Sequence, residues 1–306
     1  MPRSIQIAVP AELADALAAD LRGIDGVIGL ARQPGGALLP PGDLLTIIAT
    51  NDAQRHIFDL VGKHDVPRRG IVASSSLGSL LAWEKQAGID RESNETAWEE
   101  IASLLRQDTN PGVNFLALMF LAGAVAAVGL WTDHVHLVLG AMVIAAAFEP
   151  LVRLPFGLIT GLPGLALRGA LSCVSGYLML FAGAALSTLV LRAIDTSGAG
   201  SVLETRYWIG YWSSFTPPGL FVSALGAAAG PFILCGLRSV LTTGVMITLA
   251  LVPSMSVAGM ALATADGTLA GHGLLRWAAD AALVLLMSSI VLTLKQRLVH
   301  RRRPLA

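Results

Sequence analysis

The stretch GAMVIAAAFEPLVRLPFGL, Gly140 to Leu158, decides what kind of molecule this chain makes. For ten residues it reads as a membrane-crossing segment. It then sets Glu149, Pro150, Arg153 and Pro155 where the chain would lie deepest in lipid. A second stretch, TGVMITLALVPSMSVAGMAL from Thr243 to Leu262, opens on a similar Gly-x-Met and also meets a proline, Pro253. A span needs about 20 apolar residues, because ~30 Å of hydrocarbon is crossed at ~1.5 Å per residue. Around the two stretches six segments reach that length, at roughly 113–131, 137–160, 167–191, 216–235, 239–263 and 274–294.

Six spans make three per half, and an odd number per half turns the second half upside down relative to the first. The two quoted stretches are then the middle helix of each half. Gly140-Ala141-Met142 aligns with Gly244-Val245-Met246, and Pro150 and Pro253 follow at nearly equal offsets. Paired, proline-interrupted helices in inverted repeats point to a transport site, because a broken helix frees backbone groups that lipid cannot satisfy. The bland alternative is a pair of ordinary proline kinks in Gly/Ala-rich helices.

Glu149 sharpens the transport reading. An acid at the bilayer centre costs ~2.5–3.5 kcal/mol on insertion scales unless it faces a partner or water. Arg153, four residues on, is the partner within reach on one helix face, and the competing reading is a buried ion pair that only locks packing. Ser254 follows Pro253. Asp280, four residues after Arg276, reads as a simple pair near the membrane interface. The candidate substrate or ion site is therefore Glu149, Pro150, Arg153, Pro253, Ser254 and Asp280. The cluster TDHVH, Thr132 to His136, reads as a solvated loop sooner than a metal site. No metal or cofactor is expected.

Composition agrees with a membrane protein. The chain has 306 residues, 54% hydrophobic and only 14% charged, against a soluble norm of about 25% charged. Charge is unevenly placed: residues 1–108 carry ten basic and fifteen acidic side chains, the rest eleven basic and six acidic. The tail KQRLVHRRR and the basic residues Arg153, Arg168 and Arg238 put the C-terminus in the cytoplasm. Six spans and the lack of an apolar leader put the N-terminus there too, in the inner membrane of a cell. The two cysteines, Cys173 and Cys235, read as small core residues. Nothing suggests nucleic acid; the bilayer is the expected partner, and a homo-oligomer is left open.

The front of the chain alternates two patterns. Strands are expected at Ser4–Val9, Asp25–Ala31, Leu44–Ala49 and Gly70–Ala73, with GGALLPPGD as a break between the second and third. Helices are expected over Ala11–Ile24 and after Asn51, which would cap it. The order β-α-β-β-α-β is the split, ferredoxin-like arrangement. His56 and His64 read as solvated surface residues. The domain boundaries that follow are a cytoplasmic ferredoxin-like domain at 1–80, an amphipathic linker helix within 81–111 with Trp98, Ile101 and Leu105 on one face, a six-span domain at 112–295, and a basic tail at 296–306.

At GAMVIAAAFEP and GVMITLALVPSMSVAG the sequence resembles the prokaryotic membrane family known as domain of unknown function 389, over about residues 110–295. The family pattern runs close to Gly-Ala-Met-Leu-Ile-Ala-Pro-Leu-Met-Gly-Pro and later Gly-Val-Ala-Ile-Ala-x-Ala-Leu-Val-Pro-Pro-Leu. This chain departs from it at Ala146 and Ser254, where the family tends to have proline, and at Glu149 in place of glycine. The resemblance implies an architecture, a small cytoplasmic domain ahead of several spans, and no activity. The expected molecule is thus an α-helical membrane bundle of about six spans, a possible inverted 3+3 repeat, with an α+β front domain. The expected function is transport or channelling of a small solute or ion; the alternative is a membrane-anchored sensor or scaffold whose front domain binds a ligand or partner. No Gly-x-Ser-x-Gly, His-Glu-x-x-His or pair of catalytic acids is present, so no enzyme and no catalytic residues are expected.

Overall fold

The computed structural model describes residues 2–77, 80, 82, 96–108, 110–194, 203, 206–236 and 249–300. The chain divides into two compact units, Met1–Ile101 and Ala102–Arg301.

In the first unit the period-two pattern becomes a sheet because one set of alternating side chains is apolar throughout. Strand β1 (Arg3–Val9) buries Ile5, Ile7 and Val9, and β3 (Pro41–Ala49) buries Leu45, Ile47 and Ala49. With β2 (Val27–Leu38) and β4 (Ile71–Ser76) they form a four-stranded sheet in the order β2-β3-β1-β4, every neighbour antiparallel. Helices α1 (Ala11–Arg22) and α2 (Asn51–Lys63) place Leu17, Leu21, Ile57 and Val61 in the same core, and a short helix α3 (Val66–Arg69) precedes β4.

Three local expectations are corrected here. The cap of α2 is Thr50, whose hydroxyl accepts from the Ala53 N–H at 3.4 Å. Asn51 is the first helical residue, and its Oδ1 accepts from Arg3 Nε at 3.4 Å. The GGALLPPGD segment is an extension of the β2–β3 hairpin and not a break, because a register shift between Gln33 and Ala37 absorbs the glycines. Gly35, at φ 64°, aims its N–H at Asp43 Oδ1, 2.9 Å away. Asp43 also holds Arg32 at 2.7 Å, and these two donors keep its carboxyl below the ordinary carboxylate range. Finally, His64 is not merely solvated, since its Nε2 lies 2.8 Å from Asp20 Oδ2.

Helix α4 (Trp98–Asp108) is the described part of the linker helix, with Trp98, Ile101 and Leu105 buried as their spacing predicts. Its first turn is fixed to the sheet by a buried polar set: Glu100 accepts from Arg3 Nη1 at 2.5 Å and from Gln54 Nε2 at 3.2 Å. Residues 81, 83–95 and 109 of the expected linker lie outside the described residues.

The second unit is helical: α5 (Val113–Trp131), α6 (Val135–Ile144), α7 (Glu149–Thr160), α8 (Pro163–Ile194), α9 (Tyr207–Ser213), α10 (Pro217–Cys235), α11 (Leu251–Ala263) and α12 (Gly267–Lys295). Among the described residues five stretches are long and apolar enough to cross a membrane: 113–131, 135–160, 163–194, 217–235 and 267–298. Helix α11 has 13 residues, ~20 Å at ~1.5 Å each, short of a full crossing. The first half of that expected span, with Gly244-Val245-Met246, lies outside the described residues.

Glycines set the spacing of the helices. A side chain at Gly123 would collide with the Leu180 carbonyl, and one at Gly183 with the Phe120 carbonyl, so α5 and α8 approach backbone to backbone. Every residue from Leu251 to Ala261 of α11 is buried, as befits a helix apolar all round. The outward faces of α5, α8, α10 and α12 expose Leu121, Leu171, Leu225 and Leu286, the surface a lipid solvent requires.

Candidate functional site

The Gly140–Leu158 stretch breaks before its proline. Helix α6 ends at Ile144, Ala145 is extended at φ −74° and ψ 124°, and α7 begins at Glu149. Pro150 stands in the first turn of α7, where its missing N–H would have had no helical partner. It starts the second half of the helix and does not itself kink it. A freed backbone group in this apolar setting needs a partner, and α8 supplies one: the Tyr177 hydroxyl donates to the Ala147 carbonyl at 2.8 Å. The ring of Phe148 rests where Gly230 of α10 leaves room for it.

The start of α11 is treated in the same manner. Asp280, from α12, accepts the Ala250 N–H on Oδ2 at 2.9 Å, and Ser254 donates its hydroxyl to the Ala250 carbonyl. Pro253 lies in the first turn. Each side chain stands 30 residues beyond the backbone group it satisfies. Ala147 and Ala250 are 103 residues apart (250 minus 147), as are Tyr177 and Asp280 (280 minus 177).

Asp280 is where the expectation needs correcting most. It is not a simple pair: it lies thirteen residues into α12, ~20 Å along the axis from its start, is fully buried, and gives one oxygen to the Ala250 N–H. Arg276 Nη2 stands 3.2 Å from Asp280 Oδ1 and donates to Ser223 Oγ of α10 at 3.1 Å. The guanidinium carbon lies 5.9 Å from the centroid of the Phe215 ring. A carboxylate at a helix N-terminus with a guanidinium beside it is electrostatically well placed.

The structure therefore gathers Pro253, Ser254 and Asp280 around Ala250, while Glu149, Pro150 and Arg153 belong to α7. Arg153 is fully buried, and Gly169 of α8 leaves space for its stem. Glu149 is half-buried at the first position of α7. Tyr177 links the two sets. It is within electrostatic reach of both Glu149 and Asp280, and its ring packs edge-on against Trp277, 5.0 Å between centroids. The sequence reading missed Tyr177, Ser223 and Trp277. Only the equal spacing could have exposed Tyr177, as the counterpart of Asp280.

A cavity of about 360 Å³ opens beside these residues, lined by Leu151, Leu154, Cys173, Tyr177, Met255 and Trp277 among others. Its wall is almost wholly apolar. At the far end of α5, Asp133 caps α9 by accepting the Trp208 N–H at 3.2 Å, and the rings of His134 and His136 meet edge-on at 5.4 Å. Among the described residues no three His, Cys, Asp or Glu side chains converge as a metal site would require.

Long apolar helices with buried ionisable groups and lipid-facing leucines define a multi-pass membrane protein. Residues 142–286 match the family described as Domain of unknown function (DUF389), so this part of the chain is similar to that family. The match holds both helix starts, α8 and most of α12. No curated protein and no solved structure matches the chain.

Proposed function

We propose that this protein transports or conducts a small solute or ion through its membrane unit, with the site at the two interrupted helices. The observation that carries this reading is the paired arrangement at Ala147 and Ala250. Two backbone groups inside the membrane unit are each satisfied by a side chain 30 residues on, one of them an ionisable carboxylate. Bilayer proteins keep interrupted helices and intramembrane charge where something must be bound or passed.

The finer architecture belongs to the same proposal. Support for an inverted repeat comes from element lengths as well as from the spacing: α5 and α10 have 19 residues each, α7 and α11 have 12 and 13, and α8 and α12 have 32 and 29. The segment ahead of α11 would supply the rest of a sixth crossing and bring both termini to the cytoplasmic side of an inner membrane. The strand order β2-β3-β1-β4 supports the ferredoxin-like reading of the front unit, which would gate or assemble the membrane unit. Domain limits at 80, 111 and 295 go with it, as do Glu149, Pro150, Arg153, Pro253, Ser254 and Asp280 as the site. We read the chain as no enzyme.

One observation favours the rival, a membrane-anchored sensor: the cavity beside the interruptions is apolar and offers a hydrated solute little. Flux decides between them. Protein in liposomes, with a pH-sensitive dye inside and a panel of ions outside, is expected to pass at least one of them, with flux reduced about tenfold or more in Glu149→Gln. Well-folded wild type that passes none of the panel would favour the sensor.

A further inference from the structure

Arg276 holds more donors than its neighbours use. The residue is 5% exposed; Nη2 donates to Ser223 Oγ and stands 3.2 Å from Asp280 Oδ1 as an ion pair. Nη1 is shut off from solvent and has no hydrogen-bond partner among the described residues. A guanidinium carries five donors in a fixed fork, and a buried donor left unmade costs ~1–3 kcal/mol, more when charged. Such a group calls for an explanation, and a bound ligand is one.

Asp280 does not close the account. Its Oδ2 is given to the Ala250 N–H, so only Oδ1 faces the guanidinium and the two-point pairing of arginine with carboxylate is not formed. The N-terminus of α11 adds partial positive charge at the same place. Two positive features thus meet one carboxylate, whose Oδ1 is itself without a hydrogen-bond partner among the described residues although it stands 3.2 Å from Arg276 Nη2.

We propose that Arg276 Nη1, beside the start of α11, binds a small monovalent anion, and that a proton taken up by Asp280 accompanies it. This rests on the transport reading and names its substrate class. With Asp280 ionised, Arg276 is neutralised from within, and an anion would bring uncompensated charge into the membrane unit. With Asp280 protonated, guanidinium and anion are neutral together. The acid still accepts the Ala250 N–H on one oxygen and gains an O–H to offer Ser223 or the anion. The start of α11 keeps its partner in both states.

The surroundings leave few other groups to carry the effect. Helices α10 and α11 contribute no charged side chain, and α9 contributes tyrosines with Arg206 just before it. Helix α7 contributes Glu149 and Arg153, and Tyr177 of α8 is within electrostatic reach of Glu149 as of Asp280. On α12 itself His272 is exposed, while Lys295 lies at the other end with its ammonium 5.1 Å from the Phe232 ring centroid.

Chloride is the probe, since it cannot carry its own proton as a weak acid would. Thermal unfolding of the full chain in detergent is followed in sodium chloride and, at equal ionic strength, sodium gluconate, at about pH 5 and about pH 8. Chloride should raise the unfolding temperature, with an apparent affinity at least about tenfold tighter at the acid pH, and gluconate should not. Asp280→Asn, which keeps an acceptor for Ala250, should bind chloride alike at both pH values, and Arg276→Gln should lose the response. No chloride response in wild type overturns the proposal, as does a response equal at the two pH values or one that survives in Arg276→Gln. If the variants fail to fold, the wild-type comparison decides alone. Flux of some other solute without any chloride response would sink this site and leave transport standing. A chloride response without flux would keep the site and sink the transport reading.

Discussion

Tyr177 is a single hydroxyl on which an interrupted helix depends. Without its donated hydrogen bond, the Ala147 carbonyl would be stranded between apolar helices, since α6 has ended and α7 has not begun. Tyr177→Phe keeps the ring, its edge-on contact with Trp277 and nearly the volume of the site, and removes the hydroxyl. Unfolding in detergent should show a loss of about 1–3 kcal/mol, the cost of one buried acceptor left unmade. A variant as stable as wild type would mean that the carbonyl finds water or another donor, and that the interruption does not need α8. The same accounting explains why Asp280 cannot be treated as half of an ordinary i,i+4 pair. One of its oxygens belongs to another helix.

At the scale of elements, the close approach of α5 and α8 is the sharpest packing statement in the membrane unit. A Cβ at Gly123 would meet the Leu180 backbone, and rigid backbone cannot yield as a side chain can. Gly123→Val should therefore cost about 3 kcal/mol. Gly140, the glycine of the Gly-x-Met motif, meets nothing within 4 Å. Gly140→Ala should be neutral or stabilising by up to about 1 kcal/mol, as expected for an open helical position. Unfolding midpoints of the two variants beside wild type check both, and equal behaviour would remove the argument that glycines set the helix spacing. These glycines also show what a sequence can and cannot tell. The ends of α5 were legible, because a charge-free run stops at Trp131 beside Thr132 and Asp133. The interruption at Ala145–Phe148 was placed too late, at the prolines, because Ala-rich sequence favours helix and only Tyr177 and Gly230 make the early ending stable. The hairpin arm was missed for the same kind of reason, since the bulge and Asp43 rescue a Pro-Gly-Gly run that local rules read as a break.

For the whole molecule the open quantity is parity. Five described stretches can cross a bilayer, and α11 is too short to do so alone, yet it is buried on every side. If the chain ahead of α11 completes a sixth crossing, both ends of the protein face the same compartment and the two three-helix halves are inverted. If it does not, α11 enters and leaves from one face, the ends are opposed, and equivalent halves are lost. The front third of the chain is acidic and the tail strongly basic, so the rule for positive charge bears mainly on the tail and leaves the first unit to follow by parity. The equal 30-residue spacing at Ala147 and Ala250 favours inverted halves, since a re-entrant α11 would have no reason to repeat the geometry of α7. Single cysteines at Ser4 and Leu298, in a background with Cys173→Ser and Cys235→Ser, test this in sealed cells. Both should react with an impermeant maleimide only after the membrane is opened. Reaction at one end before opening and at the other only after would establish an odd number of crossings, and with it would end the inverted-repeat argument on which the transport site rests.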